Sequence, residues 1–289
     1  EILEEAGLPK GWAQAVVCDR KDGELLATSP KTNFLTFIGS GPVGWYLNSK
    51  VSPGTRVALE HGGVAPVIVE PDADIFDMIP ALAKGGFYHA GQVCVSVQRI
   101  YVQETIFDEV ANKLAAVASK LVVGDQLDPK TEVGPLINHD EVNRVEEWVN
   151  DAIAKGATIL TGGKRIGNSC FEPTVILNPS EDAIISQKEI FGPVVCIYSY
   201  KTLDEAIARA NSLEVSFQAA VFTKNIDTAL KAVKRLNATA VMVNDHTAFR
   251  VDWMPFGGAR VSGLGMGGIP HSMEEMSNEK MMVIKSPVL

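Results

Sequence analysis

Phe37-Ile38-Gly39-Ser40-Gly41-Pro42-Val43-Gly44 is the stretch whose reading decides the fold. An apolar run ends at Ile38, glycines follow, and Pro42 stands where the first turn of a helix tolerates proline. A strand, a glycine turn and a helix in succession are the building unit of an α/β protein. Backbone N–H groups at the start of such a helix make a ready site for phosphate. Gly39 and Gly44 permit close backbone approach, and Ser40 adds a hydroxyl donor. Glycine-rich turns of this kind are common in α/β folds, so the stretch by itself speaks for architecture more than for a ligand.

The alternation continues outward on both sides. Upstream, residues 33–38 are the strand that feeds the turn, and the apolar run 13–18 suits a buried strand. Residues 1–6 read as the last turns of a helix, with Gly7 just past its end and Pro9 beyond. A chain rarely begins at the end of a helix, so material upstream of Glu1 is expected. Downstream, residues 42–50 form the helix, and 56–59 and 66–69 are strands. Asp74 caps a helix reaching to about residue 90, and 99–102 is a strand. Thr105 is expected to cap a helix in which Ile106, Val110, Leu114 and Val117 recur at helical spacing. A long polar-faced helix covers 138–155. Strands at 158–160, 194–200, 219–222 and 240–243 follow, with helices capped at Thr202 and running over 226–236. Strands alternating with helices predict parallel sheets. Residues 255–268 are dense in glycine, and the tail 280–288 reads as an apolar strand able to join a neighbouring subunit's sheet.

Bulk properties narrow the function. The chain has 289 residues, 46% of them hydrophobic, enough to bury a sizeable core. Its net charge of −9 is spread along the chain without a basic block, which argues against nucleic acid and anionic membrane as partners. No apolar stretch reaches the roughly 18–20 residues of a membrane span. Cys18, Cys94, Cys170 and Cys196 are far apart, and the histidines are dispersed, so neither a disulfide framework nor a metal site is expected. Free thiols fit a reducing, cytoplasmic setting.

Four further places hold candidate chemistry. In Leu59-Glu60-His61-Gly62-Gly63 an acidic residue at a strand end precedes two glycines, at the kind of sheet edge where α/β proteins bind ligands. A lone glutamate there is more often a solvated loop carboxylate. Gly91-Gln92-Val93-Cys94 places a thiol after a helix and a turn, where a thiolate nucleophile can be built. A lone cysteine is more often a small buried hydrophobe, and Cys18, Cys170 and Cys196 are read that way. In Lys188-Glu189-Ile190-Phe191-Gly192-Pro193, Glu189 can bond a ribose hydroxyl and Phe191 can pack on an aromatic ring; the plainer reading is a turn with a core phenylalanine. Pro255-Phe256-Gly257-Gly258 reads on its own as a structural loop.

Together, in this order and at this Glu60-to-Cys94 separation, these motifs resemble the aldehyde dehydrogenase superfamily over essentially the whole chain. The resemblance implies an α/β, aldehyde dehydrogenase-like fold: part of a dinucleotide-binding sheet in residues 1–61, a complete parallel α/β catalytic domain in 62–272, and an oligomerisation arm in 273–289. It implies NAD or NADP as cofactor, a small-molecule aldehyde as substrate, and a homodimer or homotetramer. Cys94 would be the nucleophile, forming a thiohemiacetal and then a thioester, with its backbone N–H as half of an oxyanion hole. Glu60 would be the general base that activates water to release a carboxylic acid. Gly39, Ser40 and Gly44 match the pyrophosphate turn, Glu189 the ribose contact and Phe191 the nicotinamide neighbour. Family members that acylate coenzyme A usually lack the glutamate at position 60. A catalytically silent fragment serving as an interaction module is the other alternative.

The sequence also departs from the family pattern. His61 stands where leucine is common, Val64 where a polar residue is common, and His89 where asparagine is common. The family's Pro-Trp-Asn asparagine and its adenosine-ribose residues are absent from this chain, which is expected to be a fragment that alone binds cofactor poorly. Residues 244–250 (Asn-Asp-His-Thr-Ala-Phe-Arg) resemble members acting on lactaldehyde or succinate semialdehyde, and Arg250 could anchor an anionic aldehyde. A surface or interface role is the plainer reading of Arg250.

Overall fold

A computed structural model of the chain describes residues 1–287. β1 (Phe34–Ile38) and β2 (Arg56–Glu60) pair in parallel, with Phe37 opposite Leu59 and Ile38 opposite Glu60. The helix between them, α1 (Gly41–Asn48), has Pro42 in its first turn. A short late strand lies antiparallel on the other side of β2, setting Gly263 opposite Glu60. β1 pairs only with β2, so its outer edge is open among the described residues.

The second sheet is larger. β3 (Pro66–Val69), β4 (Arg99–Gln103), β5 (Thr158–Thr161), β6 (Thr174–Leu177), β7 (Val194–Tyr200), β8 (Gln218–Phe222) and β9 (Ala240–Val243) form seven strands in the order β9-β8-β3-β4-β7-β6-β5. All neighbours are parallel except the edge pair β5–β6. The central strands are covered on both faces: Val67, Ile68, Ile100, Tyr101, Val102, Val195 and Ile197 are all buried. That is why they read as continuous apolar runs rather than alternating ones. Helices α2 (Ile75–Phe87) and α3 (Phe107–Ala118) pack on each other, and the Leu203–Ala210 helix lies against β3, β4 and β7. Local capping starts several helices. Asp74 accepts from the Phe76 N–H, Asn138 from Glu141, Thr202 from Glu205 and Asn225 from Thr228.

Several expectations are corrected. Residues 13–18 are irregular and exposed, Cys18 included, because no strand lies beside them to accept their hydrogen bonds. Gln103, not Thr105, closes the turn ahead of α3, its side chain accepting from the Thr105 N–H at 2.8 Å. The tail forms no strand over the described residues 280–287; Val288, the end of that expected strand, lies outside them. β6 and the helix Arg20–Thr28 had no place in the sequence reading. Among the described residues no helix is long and apolar enough to cross a membrane, and no His/Cys/Asp/Glu group could hold a metal ion.

Candidate active site

Glu60 is the last residue of β2, and Cys94 sits in the loop between α2 and β4. Two different sheets thus supply them, yet the Cys94 Sγ–H donates to Glu60 Oε1 at 3.7 Å. The loop reaches this place through an unusual backbone. His89, Ala90 and Gly91 are all left-handed, with φ of +49°, +55° and +69°. For the two non-glycine residues such a backbone costs on the order of 1–3 kcal/mol each. Gly91 cannot be replaced without movement, since a Cβ there would lie 2.1 Å from the Gly192 carbonyl oxygen.

Packing after Cys94 then holds the loop. Val95, Phe217 and Phe256 form a small core of their own, with Val93, Cys94 and Ala248 against it. The phenylalanine rings meet edge to face, 5.0 Å between centroids. The buried Thr247 hydroxyl donates to the Val95 carbonyl at 2.6 Å. Sequence reasoning missed Thr247. One threonine carries no periodic signal, and its partner is 152 residues away along the chain.

The electrostatics keep the thiol protonated at rest. Burial, then the Glu60 and Glu189 carboxylates, push the Cys94 thiol up to about 12. Its hydrogen bond to Glu60 acts in the same direction, and its own backbone N–H opposes. Burial also raises Glu60, against the lowering effects of the thiol and of Arg250. Tyr88 rises to about 12, chiefly through burial and then through the sulfur's charge. Glu60 is therefore both the thiol's hydrogen-bond acceptor and a base stronger than an exposed carboxylate.

Glu189 closes the other side. Burial raises its carboxyl to about 7, with the Gly63 N–H and the Arg144 charge pulling it down. A Cβ on Gly62 would lie 1.9 Å from the Glu189 carboxylate, so the glycine pair after Glu60 makes room for this side chain. Glu189 Oε1 is buried with no hydrogen-bond partner. A carboxylate oxygen in that state suits a neutral hydroxyl donor such as a sugar diol, which supplies the missing bond without adding charge. Phe191, left-handed at φ +49° and 40% exposed, offers its ring beside Gln92 and Val93 along an open cleft of about 720 Å³.

The glycine turn that opened the sequence reading is present. Ser40 precedes α1 and makes no capping bond with its side chain. The Gly39 N–H donates to the Glu60 carbonyl at 3.1 Å, tying the turn to β2. The close approaches at its glycines are to the protein's own rings. A Cβ on Gly39 would meet the Phe37 ring at 2.7 Å, and one on Gly44 the His61 ring at 2.0 Å. His61 is buried, with Nδ1 2.9 Å from the Gly39 carbonyl oxygen and Nε2 without a partner. An unpaired buried polar atom costs about 1–3 kcal/mol. Arg250 is exposed, its guanidinium 4.3 Å from the Phe256 ring centroid, and it lines with Glu60 a cavity of about 170 Å³.

A paired thiol and carboxylate, a buried unpartnered carboxylate and a helix-start turn thus converge from two sheets. The model of the aldehyde dehydrogenase family matches residues 1–282. The chain belongs to the aldehyde dehydrogenase family. Among curated relatives, the 3-sulfolactaldehyde dehydrogenase of Priestia aryabhattai is 41% identical over 285 residues, 98% of this chain and 59% of that protein. Two solved aldehyde dehydrogenase-fold structures superpose closely. The glyceraldehyde-3-phosphate dehydrogenase of Methanocaldococcus jannaschii, complexed with NADP, is 40% identical with a TM-score of 0.91, over 96% of this chain and 60% of that one. Aldehyde dehydrogenase 21 of Physcomitrella patens, in complex with the reaction product succinate, is 38% identical with a TM-score of 0.86, over 89% and 53%. This chain thus spans about three fifths of the length of the aldehyde dehydrogenases it matches.

Proposed function

We propose that the whole protein carrying this chain oxidises an aldehyde to a carboxylic acid with NAD or NADP, and that Cys94 and Glu60 are its catalytic pair. The 3.7 Å contact between Cys94 Sγ and Glu60 Oε1 carries this reading. Residues 1–61 would belong to the dinucleotide-binding domain and 62–272 to the catalytic domain. The exposed apolar residues Met281, Met282 and Val283 would pair with a second subunit in a dimer or tetramer.

The chemistry follows from the pair. Glu60 takes the thiol proton as Cys94 Sγ adds to the aldehyde carbon, giving a thiohemiacetal whose oxygen faces the Cys94 N–H. NAD or NADP, when bound, would supply the hydride acceptor for that carbon, and Cys94 would then hold the thioester. Glu60 releases its proton to solvent, then takes one from a water molecule as that water adds to the thioester carbon. The C–S bond breaks, the acid leaves, and the proton on Glu60 returns to the sulfur. Gly39, Ser40 and Gly44 would hold the pyrophosphate, Glu189 the nicotinamide ribose and Phe191 the ring. Glu189 Oε1, buried and unpartnered, supports that fit.

The substrate class proposed is a small polar or acidic aldehyde, with Arg250 as anchor. Its support is a guanidinium beside Glu60 in one cavity, together with a relative named for a sulfonated aldehyde and another captured with succinate. In the whole enzyme, Cys94→Ala should remove activity by about 1,000-fold or more, and Glu60→Gln should reduce cofactor more slowly and stop after one turnover, leaving a thioester that hydroxylamine traps. Turnover of Glu60→Gln at the native rate, or release of acyl-coenzyme A in place of acid, would overturn the reading. Arg250→Ala should raise the KM of an anionic aldehyde about tenfold over that of a neutral one. An equal loss on both sinks the anchor.

A further inference from the structure

Four residues beyond Cys94 lies Gln98, 4% exposed, at the entrance of β4. Its amide is fully used. Nε2 donates to the Lys188 carbonyl at 2.7 Å and to the Ile185 carbonyl at 3.3 Å, and Oε1 accepts from the Ile190 N–H at 2.9 Å. Three bonds from one side chain therefore bracket Glu189 on both sides in sequence. The same residue's backbone is anchored separately, its carbonyl accepting from the Cys196 N–H at 2.8 Å. Val97 beside it donates to Gly85 at 2.9 Å. The amide thus reaches out from a fixed frame that also carries the nucleophile.

The segment it grips needs holding. Phe191 sits in the left-handed region, and Arg144 takes the Ile190 carbonyl from the other side at 2.7 Å. Both polar groups of residue 190 are thereby bonded to side chains, immediately before the strained residue. Strained backbones persist only where their surroundings over-determine them. Two donors and one acceptor at this reach are an amide's own chemistry: asparagine is one carbon shorter, and glutamate lacks the donors.

We propose that Gln98 is a positioning residue for the cofactor, one buried amide that sets Glu189 and Phe191 in place relative to Cys94. This rests on the reading of Glu189 as the ribose contact. Gln98 touches no reacting atom, so its effect should appear in cofactor binding and not in the thiol.

The test uses the whole enzyme and titrates NAD and NADP calorimetrically into Gln98→Met, Gln98→Glu, Glu189→Gln and Gln218→Met. Gln218 is a comparably buried glutamine on β8 that makes no hydrogen bond to the 185–191 segment, and it serves as the control. Gln98→Met should raise the cofactor Kd and KM about tenfold, the worth of one to two hydrogen bonds. The aldehyde KM and the cofactor-free alkylation rate of Cys94 should stay within about twofold of native. Gln98→Glu keeps the Ile190 bond and should fall between native and Gln98→Met, which covers the case of a poorly folded Met variant. A Gln98→Met effect on cofactor Kd no larger than that of Gln218→Met, beside a weakened Glu189→Gln, overturns the positioning role alone. Unchanged Kd in Glu189→Gln as well removes the ribose reading on which it rests.

Discussion

The two sheets of this molecule are built to different standards. In the seven-stranded sheet Val67, Ile68, Ile100 and Val102 are wholly buried, with helices covering the strands. In the three-stranded sheet Ile38 is 74% exposed, and β1 has a neighbour on one side only. The site draws on both, since Glu60 and the Gly39–Gly44 turn come from the thin sheet while Cys94, Glu189 and Phe191 hang from the thick one. The thick sheet carries the stability of this chain and fixes Cys94. The thin sheet, as far as this chain carries it, brings Glu60 to it with little burial.

Large-to-small substitutions test that division most directly. Leu82→Ala in α2, a fully buried side chain under the thick sheet, should cost about 2–5 kcal/mol. In the chain of residues 1–289 taken alone, Ile38→Ser in β1 should change stability by less than about 1 kcal/mol. Chemical denaturation measures both, and equal losses would mean that the two sheets share one core.

A smaller and pH-dependent effect follows from Glu189. Burial raises its carboxyl from the ordinary 4.5 to about 7, so the folded state holds this proton longer than the unfolded chain does. Stability from this group is therefore greatest below about 4.5 and falls as pH rises to about 7, by on the order of 3 kcal/mol in all. Glu189→Gln cannot lose that proton. Its unfolding free energy relative to native should climb between pH 4.5 and 8, and a flat difference would place the carboxylate in water.

The least costly probe is the thiol. With its pKa near 12, cofactor-free alkylation of Cys94 should rise about tenfold per pH unit from pH 6 to 10 without a plateau. At neutral pH the exposed Cys18 should alkylate ahead of Cys94, which is half-buried between carboxylates. Mass spectrometry of modified peptides follows both sites, and a Cys94 plateau near neutrality would contradict the electrostatics described.

What could be read from sequence was what the chain decides locally. β3 and β7 were legible at their bounds because strands buried on both faces are unbroken apolar runs, and the edge strand β9 because it is a short apolar run. The caps Asp74, Asn138 and Thr202 act within three residues of themselves. Residues 13–18 have the same apolar look as β3, but a strand also needs a neighbour, and that is decided elsewhere in the chain. β6 is four residues long and owes its place to β5 and β7 on either side. In the site, the residue types at positions 60, 94, 189 and 191 were legible through a family's motif order. The contact between Glu60 and Cys94 was not, since it joins two sheets. Nor was the reason for Gly44, whose missing side chain makes room for a histidine ring at position 61.

The buried thiol has a further consequence, for survival. Oxidants attack thiolates, and burial between the Glu60 and Glu189 carboxylates keeps the Cys94 thiol protonated at neutral pH. The two carboxylates that crowd the sulfur thus act as a safety catch. An idle copy of this protein should keep its nucleophile through a pulse of peroxide, exposing it to damage only while a substrate is being processed.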